Sequence, residues 1–498
     1  MSSNQVVKVK TYGGWRRSRG IGLFGLGLGQ TFVVLGAIIV PIVASAISLR
    51  AFAVTGLLAV VVVAANVVQV HGVPIANVVL ERLRWLVGST RAQTVYRGGV
   101  MAAGEHAWQL PGVLAPTTLV TAHDRNGGDF GVVLNRRLGT MTVTLRCAAT
   151  STWLVDPESA TAWVSNWGSW LASLGYLPIV KFVSVTVDTA PDPGSRLADY
   201  VASRAVPSAP ASARRVLQQL VDLSPAASAD VETRVSITFA PDAAPSKPRT
   251  LDEALTEIAR VLPGLQDGLG SCGVTVLSRA TATDLMAMVR AAFDPAARGD
   301  LSRILSGLSP DRVSELLDWE TAGPVAAEET RGYYIHDGAI SVSWAWHEAP
   351  RQQVPSDVLA RLLGPGQYPK RVTLIYRPFL AGDAARVVEQ EVNAVEFRSA
   401  LNRAKKRDES ARDLADRERA LRNAREEAVG AGVGRLSLFV TVTVFDEADL
   451  GQAVADVESR ADTGKIRLRR MWASQAAGFA TTLPCGVCPP TLATQWPR

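Results

Sequence analysis

The chain has 498 residues, of which 47% are hydrophobic and 20% charged, composition enough for a sizeable core and unlike that of a disordered or collagen-like chain. It is too long for one ordinary domain of ~100–200 residues, so more than one folded unit is predicted. The net charge of +6 invites a nucleic-acid reading, but position undoes it. Residues 1–100 hold ten basic residues (Lys8, Lys10, Arg16, Arg17, Arg19, Arg50, Arg82, Arg84, Arg91, Arg97) and one acid, Glu81, which leaves 42 basic and 45 acidic residues for the rest. The positive excess belongs to one end, not to a body that must grip phosphates.

Taken in chain order, that end reads as a membrane anchor. After a basic cytoplasmic arm at 1–20, no residue from Gly20 to Leu49 is charged, nor any from Ala51 to Leu80 apart from the neutral His71. Each run reaches the ~20 apolar residues a bilayer-crossing helix needs. The predicted spans are Leu23–Val43 and Ala51–Val70, within a transmembrane hairpin at 21–72 whose turn carries Arg50 alone. Cationic flanks on the outer ends of both runs put both termini in the cytoplasm by the positive-inside rule. Gly25 and Gly29 form a small-xxx-small pair that permits close helix approach. Ala44-Ser45-Ala46 imitates a signal-peptidase site, but the apolar stretch before it exceeds a usual h-region and a second apolar span follows at once. A mature N-terminus at Ile47, by mass spectrometry, would replace the hairpin with a cleaved signal.

A connector at 73–125, amphipathic over Val78–Gln93, leads to strands alternating with helices. Phe130–Leu134 and Met141–Cys147 read as strands flanking the basic turn Asn135–Gly139. Asp156-Pro157 starts a helix with Trp163, Trp167, Trp170, Leu171 and Leu174 on one face, and the strand Phe182–Val187 follows. That tryptophan stripe is explained by a helix packed on a sheet more simply than by a ligand box. A β-α-β-α unit then occurs twice. The first is the strand Val235–Phe239, helix Leu251–Leu262, strand Gly273–Leu277 and helix Ala282–Phe293. The second is the strand Leu436–Val444, helix Leu450–Arg460, strand Ile466–Met471 and helix Gln475–Leu483. The predicted fold class is α+β: a two-helix transmembrane hairpin, then ferredoxin-like modules at 126–205, 206–330 and 331–498. The last carries a long charged helical insertion at 384–430, rich in both signs (Arg403–Glu409, Arg417–Arg422), as one long helix or a helical hairpin. It reads either as a partner-contacting arm or as a solvated helix.

Motifs that carry chemistry are scarce in the chain. The pattern G-x-x-x-x-G-K-[ST] does not occur; Gly25–Thr31 has glycines without the lysine, and Gly464-Lys465 has the lysine without the cradle. Cys485 and Cys488 form a CxxC with no second pair of ligands, and Cys147 and Cys272 stand apart. The five histidines (His71, His106, His123, His336, His347) share no helical spacing, and no G-x-S-x-G elbow is present. No catalytic, cofactor-binding or metal-ligating residue is nominated, and no enzyme is expected.

The order of certain stretches resembles an actinobacterial family. They are Thr11–Arg17 (TYGGWRR), the hairpin, Gln93–Gly99 (QTVYRGG), Trp108–Leu114 (WQLPGVL), Trp163–Gly175, Trp319–Glu328, His336–Trp344 and Lys370–Pro378. Its members are integral membrane proteins of conjugative elements, related to the PrgI-type membrane component of type IV secretion systems. Arg467–Ala480 and Leu483–Gly486 (LPCG) also resemble the N-terminal, non-motor domain of conjugation ATPases. The motor's own motifs do not occur in this sequence. The resemblance therefore implies an inner-membrane scaffold that docks a motor ATPase supplied in trans and channel membrane subunits, within an oligomeric complex. The basic flanks suit anionic lipid headgroups. An alternative is a membrane core component of actinobacterial type VII secretion, whose anchored subunits also pair a two-helix hairpin with a cytoplasmic domain. A membrane-bound enzyme using Cys485 and Cys488 is a third reading, which serine replacements test.

Overall fold

The computed structural model describes residues 12–13, 28–70, 73–99, 107–124, 128–149, 155–191, 201, 204, 206, 208–223, 229–307, 318–348, 350, 352–404 and 411–495. The chain is α+β. Its described residues fall into two compact units, one from Arg16–Thr94 and Glu389–Leu421, the other from Val95–Val388 and Arg422–Arg498 with Tyr12 and Gly13.

In the first unit, α1 (Leu28–Ser45) and α2 (Leu49–Val67) pack together across the short turn Ala46–Ser48. Ser48 ends the turn by accepting the Ala51 N–H at 3.1 Å, which caps α2. The expected spans began at Leu23 and Ala51; residues 23–27 lie outside the described residues, α1 runs on to Ser45, and α2 starts two residues early and ends at Val67. Among the described residues α2 is the one helix long and apolar enough to cross a membrane, and the apolar run of α1, Gly29–Ser45, is shorter. A two-strand turn, β1 (Gln69–Val70) with β2 (Val73–Pro74), leads into α3 (Ile75–Thr90), where the amphipathic connector was expected.

The second unit is organised by a 13-stranded antiparallel sheet. After β3 (Val95–Arg97), its first half holds β4 (Thr117–Asp124), β5 (Gly128–Asn135), β6 (Thr140–Ala149), helix α4 (Pro157–Ser173) and β7 (Val180–Pro191). It continues through α5 (Ala211–Leu223), β8 (Ala229–Phe239), α6 (Leu251–Gly270), β9 (Val274–Arg279), α7 (Ala282–Phe293) and α8 (Arg298–Gly307). The second half repeats the plan: β10 (Ala326–Glu329), β11 (Tyr334–His336), β12 (Ala339–Glu348), the short α9 (Ala360–Leu363) and β13 (Lys370–Pro378). Then come the charged helices α10 (Ala381–Ala404) and α11 (Ala411–Ala428), of which Glu389–Leu421 belongs to the first unit, and after them β14 (Gly434–Val444), α12 (Leu450–Thr463), β15 (Arg467–Arg470), α13 (Gln475–Thr481) and α14 (Pro489–Gln495). The charged insertion is thus two helices. Asp156 caps α4 as its sequence predicts, accepting from the Glu158 and Ser159 N–H groups.

Spatial order exposes a duplication. The first half reads β9-β6-β8-β7 and the second β13-β14-β12-β15, joined by antiparallel pairing of β7 with β13. Counted within each half, both follow the order fourth-first-third-second. The expected repeated units therefore share one sheet and do not form a sheet each. Side-chain pairs repeat with the strands. Thr142–Thr238 (3.0 Å) and Thr144–Ser236 (2.8 Å) on β6 and β8 correspond to Ser341–Thr443 (2.8 Å) and Ser343–Thr441 (2.9 Å) on β12 and β14. Thr186 of β7 lies in register with Thr373 of β13, their hydroxyls 2.9 Å apart. Half a turn about this pair exchanges the halves.

Period-two alternation divides the sheet faces. Val143, Leu145, Val183, Val235 and Ile237 meet Trp170, Ile258 and Leu262 of α4 and α6; Val342, Trp344, Val372 and Val440 meet Val457 and Ala461 of α12. The tryptophan stripe is core packing, as expected: Trp170 is buried and its Nε1 donates to the Leu265 carbonyl at 3.2 Å. Trp163 lies over Gly273, whose φ of +75° and missing Cβ make room for the ring. The opposite sheet face carries the Ser and Thr rows, covered by the segment from α13 through Cys488. Gly486 (φ +65°) lies so close to Thr142 Oγ1 that a Cβ would overlap it.

Candidate functional site: an apolar helical pair and a buried charged seam

The helical pair is apolar where a soluble helix would be polar. No residue of α2 is buried, and its mean hydropathy reaches 2.0. Phe32, Ile42 and Val43 of α1 and Val54, Leu57 and Leu58 of α2 are all more than 60% exposed. Thr55 and Asn66 of α2 return their hydrogen bonds to the helix itself. Thr55 Oγ1 donates to the Ala51 carbonyl at 2.6 Å and Asn66 Nδ2 to the Val62 carbonyl at 2.8 Å. That arrangement is what a medium without water requires. Of the basic flanks, Arg50, Arg82, Arg84, Arg91 and Arg97 are described, whereas Lys8, Lys10, Arg16, Arg17, Arg19 and the Gly25 half of the glycine pair lie outside the described residues.

The thiols are poorly placed for chemistry. Cys485 and Cys488 are buried free cysteines; burial pushes Cys485 up to about 12 and also raises Cys488. Burial likewise lifts Cys147 to about 11 and raises Cys272. A nucleophile or metal ligand needs the thiolate, which this desolvation disfavours. Among the described residues no group of three or more His, Cys, Asp and Glu could hold a metal ion. Helix α14 follows the cysteine pair.

His336 is fully buried on β11. Its Nδ1 lies 2.6 Å from the Phe293 carbonyl, which can only accept, so Nδ1 carries the hydrogen. Its Nε2 then accepts from Ser341 Oγ at 2.7 Å, and Ser341 accepts in turn from Thr443. Burial drives the imidazole down to about 3, with Arg371 adding to the shift. It is a neutral core histidine, joining α7 to the hydroxyl row.

A charged seam at the join between the halves had no counterpart in the sequence reading. Asp188 of β7 lies opposite Arg371 of β13. Asp188 Oδ1 accepts from Arg298 of α8 at 3.1 Å and Oδ2 from Arg234 of β8 at 3.4 Å. Arg234 also donates to the Thr482 carbonyl (2.8 Å), and Arg371 Nε to Thr482 Oγ1 (3.0 Å), while the Arg371 guanidinium sits 4.7 Å from the Phe479 ring centroid. Burial opposes ionisation of Asp188, yet Arg298, Arg234 and Arg371 together hold it below the ordinary carboxylate range. Burial conversely brings Arg371 down to about 10. Across the pseudo-twofold axis, Ile375 and Ser184 stand where Asp188 and Arg371 stand on this side. The signal was present in the strands: Arg234 and Arg371 occupy positions whose period-two neighbours are Ser236 and Thr373. Chemically the seam clamps the C-terminal segment onto both halves of the sheet.

Comparison with known protein families and with curated proteins returns no match for this chain.

Proposed function

We propose that this chain is an inner-membrane scaffold subunit of a conjugative, type IV-secretion-like DNA-transfer apparatus. A two-pass hairpin anchors it, and a cytoplasmic body of two ferredoxin-like halves docks a separate motor ATPase beside the channel subunits. The observation that carries the anchor is how the chain leaves and rejoins one unit. Tyr12 pairs with Val354 through reciprocal backbone bonds of 2.8 Å, and Val95–Val388 belongs to that same unit. Between them lie α1 and α2. A chain that returns to the side it left crosses a bilayer an even number of times, so the hairpin reading needs both helices. Their 18 and 19 residues are close to bilayer length, roughly 27 and 29 Å against a hydrocarbon core of ~30 Å.

The repeated strand order supports the ferredoxin-like reading of the halves. An antiparallel platform with helices on its faces offers surface for assembly, and the role of scaffold is in keeping with buried thiols and a buried neutral histidine. The test is genetic and biochemical together. An in-frame deletion is expected to abolish transfer of the element that encodes the protein, and tagged protein purified in detergent is expected to co-elute with a P-loop ATPase. Transfer at wild-type frequency after deletion overturns the proposal. Intact transfer with lost export of small WxG-type substrates replaces it with the type VII reading.

A further inference from the structure

We propose that α3 is a third membrane element, an amphipathic helix lying in the cytoplasmic headgroup layer of an anionic bilayer. This rests on the reading of α1 and α2 as membrane-spanning. Two features place α3 at that surface. Val68 closes α2 by donating its N–H to the Ala64 carbonyl (2.9 Å), and the Val68 carbonyl accepts the N–H of Ile75, the first residue of α3, at 3.1 Å. The start of α3 is thereby tied to the end of α2, beside the paired strands β1 and β2. If α2 ends at the headgroups, α3 begins there.

The sequence of α3 then decides how it lies. Val79, Leu83, Leu86 and Val87 follow at i, i+4, i+7 and i+8, one stripe along a helix. They are 48%, 54%, 53% and 50% exposed. Arg82 and Arg84 border that stripe and Arg91 follows the helix, against the single acid Glu81 on the far side. An apolar stripe with cationic borders, continuous with a membrane helix, fits acyl chains beneath negative headgroups. A helix projecting into the cytoplasm would leave four large apolar side chains in water.

The experiment uses the full-length protein reconstituted into phosphatidylcholine vesicles with and without phosphatidylglycerol. An environment-sensitive fluorophore is attached at Leu83→Cys or Val87→Cys, and at Asn77→Cys on the polar face as the contrast; the native cysteines are buried. The stripe labels are expected to emit as in an apolar medium and to be quenched about twofold or more by lipids spin-labelled near the headgroup, more strongly with phosphatidylglycerol present. The Asn77 label is expected to remain in water. Leu86→Asp should release the Val87 label while the protein still resists carbonate extraction. Stripe labels in water, with the protein still carbonate-resistant, overturn the inference alone. Dry labels that lipid quenchers do not reach, with Leu83→Cys cross-linking between copies, overturn it in favour of a second copy of this chain. Release by carbonate overturns the membrane reading itself and α3 with it.

Discussion

His336 and Asp188 illustrate two ways in which single buried groups tie this molecule to pH. The folded pKa of His336 is depressed to about 3, while an unfolded histidine titrates near ~6.5. Between those values the unfolded chain binds the proton and the folded chain does not. The histidine's contribution is thus complete above ~6.5 and is lost as pH falls towards 3, an effect of several kcal/mol. Urea unfolding of the detergent-solubilised protein should show stability dropping steadily from about pH 6.5 to about pH 4, and His336→Gln should be less stable near neutrality but free of that slope. Asp188 acts lower on the scale. Its carboxyl is held below the usual range, so its share persists above the unfolded value near ~3.9 and disappears only as pH falls beneath that. Neither role was legible in the sequence. His336-Asp337 showed two adjacent polar residues, whereas the partners that matter, Phe293 and Ser341, reach the ring through folding.

Elements were more legible than residues, because their periods are local. Helix Ala282–Phe293 has the bounds its periodicity predicts, and β14 extends the predicted strand by only two residues. The helix beginning at Leu251 runs through Pro263 to Gly270, eight residues beyond the predicted end, since Leu265 and Leu269 are buried on the same face as Ile258 and Leu262. Tertiary burial there outweighs the lost N–H of the proline. Strands β12 and β13 were not predicted as strands, although both lie in the stretches that carry the family resemblance. For the proposed anchor, Leu58→Arg at the middle of α2 places a charge whose insertion into a bilayer costs about 2.5–3.5 kcal/mol, and the carbonate-resistant fraction of the protein should fall sharply. In the charged insertion, Arg419 of α11 is buried beside Glu391 of α10 (3.3 Å) and Asp416 (3.6 Å). Arg419→Ala removes the cation these two carboxylates share, with an expected loss of about 1–3 kcal/mol. Hydrogen exchange in α10 and α11 should accelerate while the sheet stays protected.

At the scale of the whole molecule, the two halves meet on β7 and β13, and Thr186 with Thr373 marks the axis between them. Both hydroxyls are buried, and each is the other's partner. Thr186→Val alone should leave the Thr373 hydroxyl unsatisfied and cost about 1–3 kcal/mol; adding Thr373→Val removes that orphan and should restore most of the loss. A double-mutant cycle by denaturant unfolding measures this coupling, and additive effects would show that the pair does not couple the halves. The charged seam breaks the symmetry, since Arg234, Arg298 and Arg371 gather around Asp188 on one side of the axis. On the other, Phe182, Ile375, Phe439 and Cys488 form an apolar cluster. A duplicated sheet has thereby been given two different sides, and Thr482 fastens the C-terminal segment to the charged one.

By itself the sequence determined the α+β class, the extent of several helices, the two uncharged runs and the recurrence of a β-α-β-α unit. Each of these follows from spacing within a few turns or one strand. Only the tertiary structure decided that the repeats share one sheet, that Arg234 and Arg371 are buried charges, and that Thr186 faces Thr373. Those facts concern residues about 50 to 190 positions apart. Strand alternation states which face a side chain takes, but the neighbour across the ladder is chosen by long-range pairing, which leaves no period in the chain.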